Sequence, residues 1–507
     1  MRSRPTKSSR PHRMPAMAMI ALAACTPSTG TDAGGADAGR DGMDAGARDG
    51  GPPVIADAGI PDGGARDAFS LPDGHVVGTP LSITASSSAA AHPIANAIDG
   101  DPATSWVAFD TTGPHANYAW VEVDFGVAVH VERIRLSGEN APPPGRLPSH
   151  FVVWVFDGGR WWHAASRFDA LSAPSLDLAI ARNAVRVRIE VSRVDDGSGA
   201  PAAIDELSFD TLPEPVVTTP PACDVTLAAG TDLIAFFADV TNAHDQTVCV
   251  EAGTYPGPVW IHQARALTVR ALGPVTIEAE RSGLDMAGGA AGTLIVTQAD
   301  GLLIEGLRVV NQHHFVQPYS NILETWSRAV EVLDSHDVRF VDAEIESFGK
   351  QTTWITRSSG VVLEDVSIAG AYFLVCAVGA NVVLNRSSFH GDLSFALPDD
   401  YHAPIWPERA AMFLRDTTVD LVTGNGLIGG PQPADNLFVQ VSGTFRATGM
   451  TEWVQSHPQY PNLRLQLGAD APALEPFFYN PFQGGGLGAG TELCRFGDTP
   501  TCVYPSL

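Results

Sequence analysis

Val361-Val362-Leu363-Glu364-Asp365-Val366-Ser367-Ile368 is followed 21 residues later by Val382-Val383-Leu384-Asn385-Arg386-Ser387-Ser388-Phe389. Both carry the same spacing, with core positions at 0, +2, +5 and +7 and a polar kink of two residues between the pairs. Leu302, Ile304, Leu307, Val309 and Val338, Phe340, Ala343, Ile345 repeat it, the successive starts lying 36, 23 and 21 residues apart. Residues two apart share one face of a strand, so each unit is two short strands meeting at a bend. A repeat of roughly 22 residues built this way predicts a chain that coils and stacks on itself, each coil burying the next.

The rest of the chain is β-rich and turn-rich. It has 507 residues, 44% of them apolar, with Gly 50 and Pro 38, enough for two or three domains with ordinary cores. The net charge of -26 excludes nucleic acid as a partner, because phosphate binding needs a basic face.

The N-terminus reads as an export segment. Arg2, Arg4, Lys7, Arg10 and Arg13 precede the apolar run 14–24, which is too short to span a bilayer. That run ends in Leu22-Ala23-Ala24-Cys25, which resembles the bacterial lipoprotein signal motif. The resemblance implies lipidation of Cys25, and Thr26 after it, where inner-membrane lipoproteins carry Asp, implies the outer membrane of a Gram-negative-type cell. A membrane would then be met through the lipid anchor alone. Loss of residues 1–24 removes the five basic residues and takes the charge from -26 to -31. Asp-Ala-Gly units then fill residues 26–76; with so little apolar bulk this stretch is expected to be a solvated tether. Of the other cysteines, Cys223 with Cys249 and Cys494 with Cys502 are the most local pairs in an oxidising compartment, the connectivity being open. Cys376, inside the apolar run 373–378, reads as a buried free thiol.

Alternating strands follow, at 121–125, 131–136, 151–156 and 185–191, predicting an antiparallel sandwich over residues 77–211. Ala95-Asn96-Ala97-Ile98-Asp99-Gly100-Asp101-Pro102-Ala103-Thr104-Ser105-Trp106, Trp120-Val121-Glu122-Val123-Asp124-Phe125-Gly126, Val131-Glu132-Arg133-Ile134 and Ile204-Asp205-Glu206-Leu207 closely resemble coagulation factor 5/8 type C (discoidin) domains. Asp99, Asp101, Thr104 and Glu206 match positions that hold calcium in family 32 carbohydrate-binding modules, so the resemblance implies a structural Ca2+ in an all-oxygen shell. The plain alternative is an Asp turn capping its own backbone. Candidate sugar-binding residues on the sandwich loops are Phe109, His115, Tyr118, Arg146 and Trp161, aromatic faces for stacking and cations for hydroxyls.

After the Pro-rich linker 212–222, the segment 247–255 followed by 267–271 looks like the opening coil of right-handed parallel β-helix proteins of the pectin-lyase-like class. The expected β-helix covers 223–470 in seven or eight coils, with 471–507 as a cap. Insertions at 311–327 and 391–409 are expected to leave one corner and wall a groove. Lys350, Arg386, His390, Tyr401 and His402 could there supply the base and the charge neutralisation of a polysaccharide lyase. Asp342, Asp365 and Arg386 recur at the kink of successive coils; stacked carboxylates there fit a glycosidase pair, but a turn-capping ladder is the favoured reading, and the Asn-Thr-Asp and Gly-His-Gly motifs of polygalacturonases are missing. The expected architecture is all-β, a sandwich and a right-handed parallel β-helix. The expected function is binding of a polysaccharide or glycan, with a lyase or hydrolase and a purely structural surface protein as alternatives.

Overall fold

The computed structural model describes residues 75–108, 118–138, 147, 150–168, 174–192, 202–217, 220–281, 291–313, 328–349, 351–370, 373–393, 405–408 and 410–423, beyond them only short strands, and side chains as far as residue 418. Cys25, the tether, Phe109, His115, Arg146, Lys350, Tyr401 and His402 lie outside the described residues.

The first unit is antiparallel. Its strands are β1 (Ser82–Ala85), β2 (Trp106–Val107), β3 (Tyr118–Ser137), β4 (His150–Phe156), β5 (Trp161–Phe168), β6 (Ser175–Ser192), β7 (Ala203–Ile204) and β8 (Glu206–Leu212). The main sheet runs β1-β3-β6-β4-β5, with β8 also on β3, and β2 pairs β7. β3 is 20 residues long and serves two neighbours, β1 through its first half and β8 through its second. Gly126, at φ 75°, marks the break between the halves, and the Asp124 carboxylate accepts its N–H at 2.7 Å. Only a residue without Cβ takes that conformation at little cost. Val121, Val123, Ile134, Phe151, Val153, Val187 and Ile189 alternate inward onto Trp106.

The second unit is parallel throughout its coils. One sheet stacks eight strands, Val259–His262, Gly292–Thr297, Arg328–Leu333, Gln351–Thr356, Phe373–Val378, Ile405–Glu408, Gly426–Gly430 and Glu452–Ser456. The other strands of each coil form a parallel, nearly closed sheet, an arrangement consistent with a β-helix. The repeat positions lie in register, Phe340 on Leu363, Leu363 on Leu384 and Leu384 on Leu414, all buried in one continuous core. Parallel pairing continues to Glu492–Arg495, past residue 470, because that strand still finds an edge to pair with at Arg464–Leu467. Thr501–Val503 then turns back antiparallel and sets Cys494 opposite Cys502. Cys223 and Cys249 form a disulfide, and Cys376 is a buried free thiol.

Gly306, Asp342, Asp365, Arg386 and Asp416 occupy the kink of successive coils, all at positive φ. The kink is thus a backbone corner, and the Arg386 guanidinium donates to both Asp365 oxygens at 2.8 and 2.6 Å across it. The breaks at 282–290, 314–327, 350, 371–372 and 394–404 all lie between the end of one coil and the eight-stranded sheet of the next, so insertions leave one corner. The second insertion is shorter than 391–409: residues 391–393 prolong the strand Ser388–Leu393, and Ile405–Glu408 is already the next strand of the stack.

The two units are docked. The sequence of 151–156 suggests alternation between core and solvent, yet both faces of β4 are buried. Phe151, Val153 and Val155 face the sandwich core, while Val152 and Trp154 pack against Val362, Val383, Ala411 and Phe413 on the outside of the coil. Beside this apolar seam runs a polar column. Glu364, Asn385 and Arg415 are stacked in register on three coils. The Glu364 carboxylate accepts from the His163 backbone N–H at 3.1 Å, Arg339 at 3.0 Å and Asn385 at 2.8 Å. Asn385 and Arg386 both donate to the Trp161 carbonyl, and Arg415 meets Glu190 at 3.4 Å. The linker is held as well, since the Asn183 amide pairs with both backbone groups of Val216 and Arg270 donates to the Pro221 carbonyl.

A carboxylate this buried is stable only while its donors stay in place. Glu364→Ala strands Arg339 and the His163 N–H, and urea unfolding of the full chain is expected to show a loss of about 3–5 kcal/mol. A second expectation concerns His163. Burial, with Arg339 and Arg182 alongside, holds its imidazole well below the ordinary range. The folded chain therefore keeps it neutral while the unfolded chain protonates it near pH 6.5. Stability from this group is complete above that pH and falls below it, by about 1.4 kcal/mol per pH unit at most. His163→Gln should flatten the acid limb of the stability–pH curve by one proton; an unchanged slope contradicts the assignment.

Candidate functional sites

The turn before β2 is organised by its aspartates. Asp99 accepts from the Asp101 N–H at 2.8 Å and the Thr104 hydroxyl at 2.9 Å, and Asp101 accepts from the Ala103 N–H at 3.0 Å. Glu206, at the start of β8, accepts from the Gly100 N–H at 3.1 Å across 106 residues of sequence. All four sequence-selected residues are therefore brought together, in the backbone-capping form. Burial, then the neighbouring Asp99 and Asp101 charges, push the Glu206 carboxyl up from its ordinary range, against the Gly100 N–H that favours its anion. Three carboxylates that repel one another, with a hydroxyl beside them, form an oxygen set suited to a hard divalent cation. Among the described residues, however, no three such groups converge on a single point.

At the other end of β3 the strand register gathers loop ends. Tyr118, Ser192 and His150 sit opposite one another on β3, β6 and β4. The stretch with Phe109 and His115 runs into β3 there, and the one with Arg146 runs into β4. Tyr118 is the first residue of β3. Trp161 does not belong with them. It pairs with Phe156 at the far end of β4, the length of a seven-residue strand from His150, roughly 20 Å. There it lies in the docked seam, under Arg415 at 4.2 Å from its ring centre, with its carbonyl bound by Asn385 and Arg386. It is a junction residue and not a platform on the ligand loops.

The coil candidates separate too. Arg386 is at the kink corner, committed to Asp365 and Trp161, its guanidinium 4.4 Å over the Trp162 ring. The insertions leave from a different corner, so Arg386 is removed from any groove between them. Its position on the first coil side of the seam explains why: the kink is where the sandwich docks. His390 is exposed on the strand Ser388–Leu393. Asp365 is spent on Arg386, and Asp342 is a corner residue at φ 52°, so the ladder has the turn-capping form. At the start of the strand Arg328–Leu333 a polar knot is buried. Glu331 accepts from the Ala291 and Gly292 N–H groups and pairs with Arg328, which also donates to Gln351 and lies 4.1 Å over Trp354.

The junction residues His163, Glu190, Arg339, Glu364, Asn385 and Arg415 were not among the sequence candidates. One signal was available. Position +1 of the repeat, which should face solvent, is Val362, Val383 and Phe413 on consecutive coils, an outward apolar column that needs a partner.

Comparison with known proteins bears on the first unit. The F5/8 type C domain family matches residues 82–206. Solved structures similar to part of the chain include the paired CBM32-1 and CBM32-2 domains of Clostridium perfringens ZmpB, at 19% identity over 27% of this chain and TM-score 0.23. The chain spans 35% of that structure. The family 32 module of C. perfringens NanJ in complex with galactose is 19% identical over 25% of this chain and 91% of its own, TM-score 0.22. A chitosan-binding module of a Paenibacillus sp. IK-5 chitosanase/glucanase is 22% identical over 27% of this chain and 98% of its own, TM-score 0.23. No curated protein matches the chain. The antiparallel unit, over residues 82–206, is thus an F5/8 type C domain.

Proposed function

We propose that this chain is a glycan-binding surface lipoprotein: Cys25 anchors it to the outer membrane, the F5/8 type C domain takes a polysaccharide or glycan, and the coil carries that domain. The observation that supports it is the family match over 82–206 together with the gathering of loop ends at Tyr118, Ser192 and His150. The ligand residues are Phe109, His115, Tyr118 and Arg146. An aromatic side chain offers the apolar face of a sugar, and the cations donate to its hydroxyls. The coil is read as a pectin-lyase-like β-helix serving as scaffold. Its outward column is spent on docking and Arg386 is spent on the corner, which weakens the lyase alternative and leaves it Lys350, His390, Tyr401 and His402.

Calcium belongs to this reading as a structural ion held by Asp99, Asp101, Thr104 and Glu206. It would neutralise the repulsion that pushes the Glu206 carboxyl up, and so pin β8 to the turn before β2.

Two outcomes are expected. Millimolar calcium should raise the melting temperature of the full chain by several degrees through mass action, less so as pH falls and Glu206 takes up a proton, and Glu206→Gln should abolish the effect. On a polysaccharide panel, pull-down should retain the wild-type chain, and Phe109→Ala should lose about tenfold in affinity with an unchanged melting temperature. Formation of unsaturated sugar ends would instead establish a lyase, and no retention on any glycan would leave a structural surface protein.

A further inference from the structure

The seam is a third core, separate from the two that it joins. Val152, Trp154, Val362, Val383, Ala411 and Phe413 pack together there, and none of them belongs to the core of the sandwich or of the coil. Each unit therefore keeps its own buried core whether the seam is closed or parted. An interface of this kind can open by itself, at a free energy below that of unfolding either side.

His163 enters the seam through an irregularity of the sheet. Val153 lies opposite Ala165 and Trp154 opposite His163, so β5 carries one residue more than β4 at that point. A bulge re-aims the residues beside it. The His163 N–H donates across the seam to Glu364 at 3.1 Å, and the ring, 3% exposed, meets Trp154 edge-on at 5.8 Å.

Neither ring nitrogen has a hydrogen-bond partner among the described residues. From the coil the residue is faced by Arg339, which donates to the His163 carbonyl at 3.4 Å, and by Glu364. The Glu364 carboxylate is already engaged by the His163 N–H, Asn385 and Arg339, with Arg386 at 3.6 Å. From β4 comes the Trp154 indole, covered by Arg415 at 5.1 Å, which pairs with Glu190 of β6. Burial first, then the charges of Arg339 and of Arg182 on β6, keep the imidazole neutral. A proton added to it in the closed seam makes a buried cation without an acceptor and among guanidinium groups. In a parted seam water solvates the same charge.

We propose that the seam is an acid-released latch: a proton on His163 parts the F5/8 type C domain from the coil while both stay folded. In the parted form the ring titrates near its ordinary value of about 6.5. Opening thus takes up one proton. It is indifferent to pH above that value and becomes about tenfold more favourable with each pH unit below it, until the closed ring itself protonates. The inference concerns how the two units are joined and stands apart from the glycan reading.

The test is thiol labelling of the full chain carrying Ala411→Cys, a seam position 2% exposed. A dipyridyl disulfide labels thiols at acid as well as neutral pH, and each site is read by mass spectrometry against an exposed model thiol. Between pH 8 and pH 5 the corrected labelling rate at position 411 is expected to rise about 30-fold. Two controls report on the units themselves, the buried Cys376 in the coil and Ala184→Cys in the sandwich core, and both should stay protected. His163→Phe, which keeps a ring but takes no proton, should make labelling at position 411 independent of pH, and His163→Gln checks it with a polar side chain. Three results overturn the proposal: no rise with acid while His163 is present, a rise that persists in both variants, or a rise shared by Cys376 and position 184. The last would mean unfolding rather than parting.

Discussion

The described coils turn at residues held in the left-handed region. Gly306, Asp342, Asp365, Arg386 and Asp416 do this at one corner, with φ between 48° and 74°, and Gln298, Asp334, Arg357 and Gly379 do it at another, between 46° and 56°. For a residue with a Cβ this conformation costs roughly 1–2 kcal/mol, so a stack of such corners accumulates strain coil by coil. Parallel pairing across the whole stack offsets it, because a corner at any other angle would throw the next strand out of register. Aspartate is the residue expected, being tolerant of left-handed φ. Arginine is not, and both corner arginines are supported in the same way. Arg386 grips Asp365 one coil before it, and Arg357 grips Asp334 at 2.5 and 2.7 Å, each through two hydrogen bonds. The Asp at one corner thus helps hold the Arg at the next.

The corner that sets the coil also sets the docking face. Because the kink residues repeat in register, the side chains just before them, Glu364, Asn385 and Arg415, stack into a straight column. A straight column of polar groups can meet neighbouring strands one residue at a time, and it meets His163 and Trp161 on β5 and Glu190 on β6 in that way. The apolar column Val362, Val383 and Phe413 beside it supplies the burial, and Val152 and Trp154 complete it. Aromatic rings between the two sheets are covered by arginines, Arg415 over Trp154 and Trp161, Arg188 over Trp120. These contacts let cations share an interface with indoles without losing all electrostatic compensation.

What the sequence disclosed and what it hid follow from range. Spacing within 21–23 residues records the coil, since the inward apolar positions and the kink lie close together in the chain. The calcium-like turn was legible for the same reason, with Glu206 as its one distant member. The seam was not, because its pairs are separated by about 200 residues: 201 between His163 and Glu364, 224 between Trp161 and Asn385, 225 between Glu190 and Arg415. Nothing local distinguishes Trp161 on a ligand loop from Trp161 in a seam; the difference is which end of β4 it pairs with. Arg386 was misplaced for a related reason. Its repeat position was read correctly, but the corner it marks faces the sandwich, whereas the insertions leave elsewhere.

The docked seam limits how the antiparallel unit can move. A module on a free linker sweeps a volume and binds wherever its loops meet a ligand. Here the linker itself is fastened at Val216 and Pro221, and β4 and β5 are committed to the coil from Val152 to Trp161. The loop ends at Tyr118, Ser192 and His150 lie two residues beyond Trp120, Glu190 and Val152, which belong to the seam. A glycan held there would keep a constant position relative to the coil and to the corner from which its insertions depart. The seam thus joins the two units into one body, and it does so through a carboxylate, an amide and a guanidinium spaced one coil apart.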